Sequence, residues 1–412
     1  MRLGNVVESW KYPLMLLAGI GISNVGAWIY LIALNLIILE KTGSPLAVAV
    51  LYILKPLATL CTNFWSGSVI DRLNKRNLMV TLNLVSAVFI ATLSFLSSLW
   101  SIYLVVFLIN IARSIFDPTS MTYITKLIPP KDRKRFNSLR SLIDSGGFLI
   151  GPAIAGLLFI IGTPIFAIYM NAIALLLSGL VTMMMPNLEK HIQFNSTNEK
   201  ISFEVVKQDW TVVLNFSRRY AYIMFIYFLF GCVMVMATAI DSLEVAFAKE
   251  VLSLSDSEYS FLVSIAGAGI VMGAIINTMI ATKSSTSLLI GLGSLFVSIG
   301  YIVYAFSTIF FMAAIGFFIL SFSLAFANTG FHTFYQNNIP VDVMGRVGSI
   351  YGLIEAVLII LATTIAGVAA QLISIQYVVI LGTFVMLVIS ITLFLFNIRP
   401  SKAKLYSTAS VD

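Results

Sequence analysis

The sequence predicts an all-α integral membrane protein in which twelve transmembrane helices form two pseudo-symmetric six-helix bundles. Three observations predict this fold. Hydrophobic residues make up 59% of the 412 residues and charged residues only 10%, a balance outside the range of soluble domains. Polar breaks divide the chain into twelve apolar segments, each near or above the roughly 20 residues that a helix needs to cross a bilayer. The two halves also share an internal repeat.

The twelve predicted spans follow one another with short polar connections. The first span is too long for the apolar region of a signal peptide and lacks a small-residue cleavage site, so we expect a retained helix. In order, the spans are Tyr12–Leu39, Leu46–Ser66, Leu78–Ser97, Ser101–Thr125, Ser138–Ile161, Pro164–Met185, Tyr220–Ile240, Tyr259–Ala281, Ser287–Phe306, Ile309–Tyr335, Val347–Ile373 and Tyr377–Phe396.

The longest polar stretch, residues 186–219, lies between the sixth and seventh spans. A composition shift of this kind marks a boundary between domains. The sequence therefore predicts an N-terminal bundle of residues 1–185, a cytoplasmic linker of residues 186–219, and a C-terminal bundle of residues 220–412 that ends in a short cytoplasmic tail.

The distribution of positive charge predicts the orientation of the chain. All but four of the 25 Lys and Arg residues fall on the side of the N-terminus, the exceptions being Lys41, Lys55, Arg113 and Lys249. Because cations resist translocation, we expect both termini to be cytoplasmic in a bacterial-type plasma membrane. The net charge of +7 is therefore a topology signal, and no nucleic-acid partner is expected.

The sequence lacks the residues that several classes of function require. The two histidines, His191 and His332, are too few for a His-rich metal site, and Cys61 and Cys232 lie in apolar runs as packing residues. The sequence contains neither a nucleotide-binding loop nor a set of residues typical of a nucleophilic enzyme. We expect a protein that is not an enzyme, carries no metal or cofactor, and acts as a monomer in the lipid bilayer.

An internal repeat relates the fifth and eleventh spans. Ile128-Pro129 matches Ile339-Pro340, and Asp144 matches Glu355, at a constant offset of 211 residues. Because the same offset aligns an acidic residue in one half with an acidic residue in the other, the two halves are predicted to be parallel repeats related by an axis along the membrane normal.

Residues 67–76, between the second and third spans, read GSVIDRLNKR. This segment resembles the loop signature of the major facilitator superfamily, in which a glycine is separated by three residues from Asp-Arg and a following basic cluster. The resemblance implies a conformational latch formed by Gly67, Asp71, Arg72 and Arg76 with the start of span 11 near Arg346. The alternative is a basic loop that only sets topology, which is the role we assign to Lys75.

The fifth span carries a second motif that is similar to one in this superfamily. Gly147, Gly151, Pro152 and Gly156 match the glycine and proline pattern typical of exporters, although ordinary small-residue helix packing also uses such residues. The segment from Ile339 to Ser349 is similar to the drug and macrolide-efflux and enterobactin-exporter type of proton antiporter. The resemblance implies export driven by a proton gradient.

Charged residues inside the predicted spans are candidates for function because their burial in lipid is costly. Arg113 and Asp117 are spaced for an ion pair on one helix face, either as a self-satisfied pair or as a relay in which Asp117 exchanges a proton. Asp144 and Glu355 could load a proton on one side and release it when the site hydrates, although Asp144 could instead reach water. Lys55 could pair with one of these acids or neutralise the site.

Aromatic and polar residues give a candidate substrate cavity. Trp28, Phe116, Tyr227 and Phe331 lie on spans 1, 4, 7 and 10, which line the cavity by resemblance, although aromatic residues facing lipid are equally common. Asn328 and His332 share one face of span 10 and either line the cavity or pack within the bundle.

These observations predict a secondary transporter that exports hydrophobic or amphipathic small molecules by proton antiport and alternating access. Its partners are the bilayer, a small-molecule substrate and protons. The alternatives are a siderophore or metabolite exporter, a proton-coupled uptake symporter and, from another class, a polytopic enzyme or a channel.

Overall fold

The structure is a computed structural model that describes residues 3–63, 70, 73–189, 203–280 and 284–398. Within those ranges every regular element is a helix. The α-helices are α1 (Leu3–Thr42), α2 (Pro45–Asn63), α3 (Lys75–Thr92), α4 (Leu99–Leu127), α5 (Pro130–Ile161), α6 (Pro164–Met183), α7 (Phe203–Arg219), α8 (Ala221–Asp241), α9 (Glu244–Glu250), α10 (Asp256–Ile280), α11 (Thr286–Ala305), α12 (Phe310–Asn338), α13 (Val341–Leu372) and α14 (Ile375–Asn397), with a 3₁₀ turn at Leu93–Phe95.

Twelve of the described helices are long and apolar enough to cross a membrane, which confirms the predicted number. They are α1–α6, α8 and α10–α14. The predicted edges differ most at the starts of α1, α5 and α13, each of which begins with a stretch that is less apolar than the span itself. The helices α5 and α13 begin directly after a proline, Pro129 or Pro340. The helix α7 lies inside the predicted linker. Its charged residues explain why the sequence analysis did not count it as a membrane span.

The internal repeat extends beyond the fifth and eleventh spans. The helices α2, α3, α4, α5 and α6 begin 211 residues before α10, α11, α12, α13 and α14 respectively, and α4 and α5 also end at that offset from α12 and α13. Polar and proline caps recur with the repeat, since Asn74 caps α3 and Ser285 caps α11. The two halves are therefore built from one repeated plan of helices.

One compact unit comprises Met1–Gly43, Leu54–Thr197 and Ser255–Ser264. Its core includes Trp10, Leu17, Tyr123 and Phe136, each at most 8% exposed. The most extensive helix contacts in this unit join α1 to α5 and α6, and α3 to α4 and α6. These contacts place α1, α4 and α5 around the cavity described below.

A second compact unit comprises Ser44–Ile53, Asn198–Leu254 and Ile265–Asp412. Here α11 packs closely on α12, and α14 packs on α11 and α8. Glycine permits the first of these contacts, because a Cβ at Gly300 would lie 2.5 Å from the backbone nitrogen of Leu320. The helix α13 packs against α7, α8 and α14, and it carries Glu355.

Candidate functional site

The first unit contains a cavity of about 480 Å³. Polar and charged side chains line it together with two aromatic rings. The lining residues come from α1, α3, α4, α5 and α6 and include Ser23, Asn24, Trp28, Arg113, Phe116, Asp117, Ser120, Arg140, Asp144 and Ser178. A volume of this size is in the range of small-molecule sites. Five predicted residues, Trp28, Arg113, Phe116, Asp117 and Asp144, therefore lie together.

Arg113 and Asp117 form the ion pair that their spacing predicts. Arg113 Nε lies 3.1 Å from Asp117 Oδ1, and the two side chains are 42% and 56% exposed. The Arg113 guanidinium also lies over the Phe116 ring, 5.3 Å from its centroid. Because both charges reach the open cavity, the pair is accessible to a polar ligand, and exposed pairs of this kind add little to stability.

Asp144 has two partners in the same cavity. Its Oδ1 accepts a short hydrogen bond from Asn24 Nδ2 on α1, and Arg140 Nε lies 3.9 Å from its Oδ2. The Asp144 side chain is 48% exposed, so its charge faces the cavity and is not sealed in lipid. The hydrogen bond from Asn24 joins α1 to α5, and the contact with Arg140 is an ion pair within α5.

The glycines of the fifth span set the distance between α5 and α1. A Cβ at Gly151 would lie 2.5 Å from Trp28 Cβ, and one at Gly147 would lie 3.1 Å from Asn24 Cβ. The close approach also brings the Trp28 ring centroid to 4.4 Å from the Phe148 ring centroid. Gly147 and Gly151 thus allow Asn24 to reach Asp144.

The other two residues of this motif lie further along α5. A Cβ at Gly156 would lie 3.2 Å from the Ser257 carbonyl oxygen of α10. Pro152 is buried inside α5, and near it the Leu149 carbonyl accepts a 2.7 Å hydrogen bond from Ser264 Oγ of α10. This side of α5 therefore packs on the first part of α10.

The remaining predicted cavity residues lie apart from this cavity. Lys55 is exposed and, within the described part of the chain, forms no ion pair with the acids considered above. In the second unit His332 is exposed and Asn328 is half-buried. Tyr227 and Phe331 pack against each other, with their ring centroids 5.3 Å apart. Glu355 lines a small pocket that also contains Tyr227 and Tyr351.

The predicted latch is described only in part. Gly67, Asp71 and Arg72 lie outside the described residues. Arg76 Nη1 donates a 3.0 Å hydrogen bond to the Met185 carbonyl oxygen, and Arg346 is half-buried near the start of α13.

The sequence analysis missed a buried ion cluster, in which Lys75 has a structural contact beyond the topology role that its sequence position suggested. Lys75 Nζ lies 3.2 Å from Glu189 Oε1 and both side chains are 4% exposed, while Lys126 Nζ lies 2.5 Å from the same oxygen. Burial alone would raise the pKa of Glu189, but the hydrogen bonds from Lys126 and Lys75 outweigh burial and lower that pKa. Lys75 is therefore a buried partner that fixes the segment after α6, not a surface cation.

A second missed group lies in the other unit. Tyr301 Oη on α11 donates a 2.7 Å hydrogen bond to Asp241 Oδ1 at the end of α8. Asp241 is the last residue of its helix and directly follows the predicted seventh span, so the search for charged residues inside the spans did not include it. The pair fixes α11 against α8.

A model of the Major Facilitator Superfamily matches residues 16–363 of the chain. The chain belongs to the major facilitator superfamily. It is therefore a multi-pass membrane transporter, as the resemblance of its loop and glycine motifs implied.

Two relatives illustrate its place among major facilitator proteins. The chain is 26% identical over 370 residues to the uncharacterized MFS-type transporter YfiS of Bacillus subtilis, and the alignment covers 87% of this chain and 84% of YfiS. It is 32% identical over 101 residues to the multidrug resistance protein MdtH of Cronobacter sakazakii. That second alignment spans 24% of this chain and only 25% of MdtH.

Solved structures of major facilitator proteins share the fold. The nucleoside transporter NupG superimposes with a TM-score of 0.73 at 13% identity over 94% of this chain and 99% of that structure. A bacterial homologue of the iron transporter ferroportin gives 0.70 at 17% identity, covering 97% and 100%. At these identities the similarity shows the architecture and carries no information about the substrate.

Proposed function

We propose that this chain exports hydrophobic or amphipathic small molecules, of the drug or macrolide type, in exchange for protons. The observation that carries the proposal is the cavity of the first unit, in which two carboxylates, two guanidinium groups and two aromatic rings meet. Aromatic faces suit an apolar ligand, whereas the carboxylates can take up protons. Alternating access of this cavity would couple export of the ligand to uptake of protons.

The coupling would work through the partners of each acid. Protonation of Asp117 removes the charge that holds Arg113, and protonation of Asp144 weakens its contacts to Asn24 and Arg140. Each event changes the charge that a substrate meets in the cavity. One proton crossing about 100 mV supplies about 2.3 kcal/mol, enough for a roughly 50-fold substrate gradient.

Two observations favour export. The Gly147, Gly151, Pro152 and Gly156 pattern is similar to that of exporters, and its first two glycines contact the cavity helix α1. The similarity to MdtH, although confined to about a quarter of the chain, is to a multidrug resistance protein. The alternatives remain a siderophore or metabolite exporter and an uptake symporter.

The proposal includes a location and a switch. We expect a bacterial-type plasma membrane, cytoplasmic termini, a monomer, and a proton gradient in place of any cofactor. Asp71 and Arg72, with Gly67, would close a latch near Arg346 in one conformation, and Arg76 would support it through its bond to Met185. A conformation-dependent contact of this kind biases alternating access.

The proposal is tested by efflux of an uncharged amphipathic dye such as Nile red. Cells that lack their own efflux pumps are loaded with dye, and its loss is followed with and without a protonophore. We expect expression of the chain to speed dye loss, the protonophore to abolish that gain, and Asp117→Asn to reduce it at least about tenfold. Glu250→Gln is the matched control, because Glu250 is exposed and outside the spans. Dye loss that continues unchanged after the gradient collapses would rule out proton antiport.

A further inference from the structure

The second unit contains a groove of about 340 Å³ between the last turns of α13 and the first turns of α14, with the end of α8 as its floor. The helix α8 packs more extensively on α13 and on α14 than these two helices pack on each other, which leaves the groove open between them. Its walls carry Ile365, Ile373 and Leu381, whose side chains are 68%, 69% and 67% exposed. Among the described residues that line the groove none is charged, and Tyr377 carries the only hydroxyl.

Differences between the two copies of the repeat provide the space for this groove. Three residues that line it are smaller than their counterparts at the offset of 211 residues. They are Ala239, Ala369 and Gly382, which correspond to Trp28, Leu158 and Asn171 of the first unit. The second unit has therefore lost side-chain volume at three positions, one on each of the helices α8, α13 and α14, and all three positions face the same groove.

The length and the width of the groove match one hydrocarbon chain. Its lining residues on α13 run from Ala362 to Ile373, a distance of about 16 Å at 1.5 Å per residue. One leaflet contributes about 15 Å to the hydrocarbon core of a bilayer. The volume divided by the length gives a mean cross-section of about 20 Å², which fits a single extended alkyl chain.

The groove is continuous with the surface of the spans that faces lipid. Its lining residues on α13 and α14 lie inside two membrane spans, and beside them Leu372 and Phe384 are exposed. With the cytoplasmic termini proposed above, the end of α13 and the start of α14 lie in the outer leaflet. Tyr377, near the start of α14 and 68% exposed, is then at the depth where tyrosines meet the polar part of lipids.

We propose that this groove binds one acyl chain of an outer-leaflet glycerophospholipid, with the ester region of that lipid beside the Tyr377 hydroxyl. The inference does not depend on the proposed substrate or on proton coupling. Lipid tails are as apolar as the lining, so transfer from the bilayer into the groove brings no hydrophobic gain. Dispersion contacts on three sides hold the chain, and an empty groove would forfeit them. Binding therefore depends on shape.

The test is photolabelling of the purified full-length protein in liposomes. The liposomes contain a phosphatidylcholine with a diazirine in the middle of one acyl chain, and labelled residues are identified by mass spectrometry after digestion. We expect labelling of residues 362–373 and 377–385 to exceed labelling at Val388 and Leu395 at least about fivefold. These two control positions lie on α14 outside the groove and are 63% and 54% exposed.

A filled groove gives the second arm of the experiment. Ala366→Leu combined with Ala369→Leu enlarges two lining side chains, the second to the leucine that the first unit has at Leu158. Labelling in the groove should fall at least about fivefold. The matched control is Val368→Leu combined with Val388→Leu, which enlarges exposed side chains outside the groove and should label as the unmodified protein does.

Each variant is first checked by its thermal unfolding, and the labelling pattern of the unmodified protein tests the proposal without any variant. Equal labelling along α14 would overturn the proposal, as would groove labelling that persists in the folded, filled variant. Nile red in excess should leave the labelling unchanged, and its removal of the label would assign the groove to the exported ligand instead. Photolabelling needs no proton gradient, so its failure is distinguishable from failure of dye efflux.

Discussion

Replacing Glu189 with glutamine should destabilise the first unit by removing one charge from a buried cluster. The Glu189 carboxylate accepts hydrogen bonds from the backbone N–H and the ammonium group of Lys75 and from Lys126, and it ties the segment after α6 to α3 and α4. Asn74 and Asn187 add a 2.6 Å hydrogen bond beside it. Glutamine has nearly the same shape, so the change removes charge and leaves packing in place.

The magnitude follows from the burial of each partner. Lys75 and Glu189 are both 4% exposed, and removing one partner of a buried ion pair costs about 3–5 kcal/mol. The contact to Lys126, which is 37% exposed, contributes less than about 1 kcal/mol. The glutamine carbonyl can still accept the Lys75 N–H, so we expect a loss at the lower end, about 3 kcal/mol.

The assay is unfolding of the purified protein in detergent, followed by tryptophan fluorescence, with Glu250→Gln as an exposed control that should change by less than about 0.5 kcal/mol. The pH dependence gives a second readout. Because the pKa of Glu189 is lowered from 4.5, its stabilisation is fully present above pH 4.5 and is lost as the pH falls below that value. Glu189→Gln should lack this acid-dependent loss. A variant that unfolds as the unmodified protein does would refute the structural role of the cluster.

Three further predictions concern the motif, the cavity and the second unit. Gly151→Ala should cost about 1–3 kcal/mol of unfolding free energy and slow dye efflux through overpacking, whereas Gly146→Ala, with nothing within 4 Å of the new Cβ, should be tolerated in both assays. Asp117→Asn should leave the unfolding free energy within about 1 kcal/mol, because its ion pair is exposed, yet reduce efflux; a large loss of stability would contradict that separation. Tyr301→Phe should cost about 1–3 kcal/mol by removing the hydrogen bond to Asp241, and an unchanged melting curve would show that the bond is not stabilising.

Local features of the sequence predicted the fold well. The twelve spans follow from the thickness of a bilayer, and the repeat follows from matched residues at a fixed offset. Arg113 and Asp117 are separated by about one helical turn in the sequence (i,i+4), so their spacing alone is sufficient to predict the ion pair. Helix edges were less predictable where a polar stretch continued the helix, as at the start of α5.

Contacts between distant segments were not predictable. Lys75 and Glu189 are separated by 114 residues, and neither has a neighbour in the sequence that indicates the other. Asn24 lies 120 residues before Asp144, and only the packing permitted by the glycines of α5 brings them together. A sequence shows which residues are charged, but the fold decides which charges are compensated.

The most direct test of proton-coupled export uses the purified chain in liposomes that contain a pH-sensitive dye. Nile red is added under an imposed pH gradient, and proton movement is recorded from the interior dye. We predict that the substrate starts a proton flux opposite to its own movement, that Glu250→Gln retains this flux, and that a variant with both Asp117→Asn and Asp144→Asn loses it. Substrate movement with no accompanying proton flux in the unmodified protein would contradict the account.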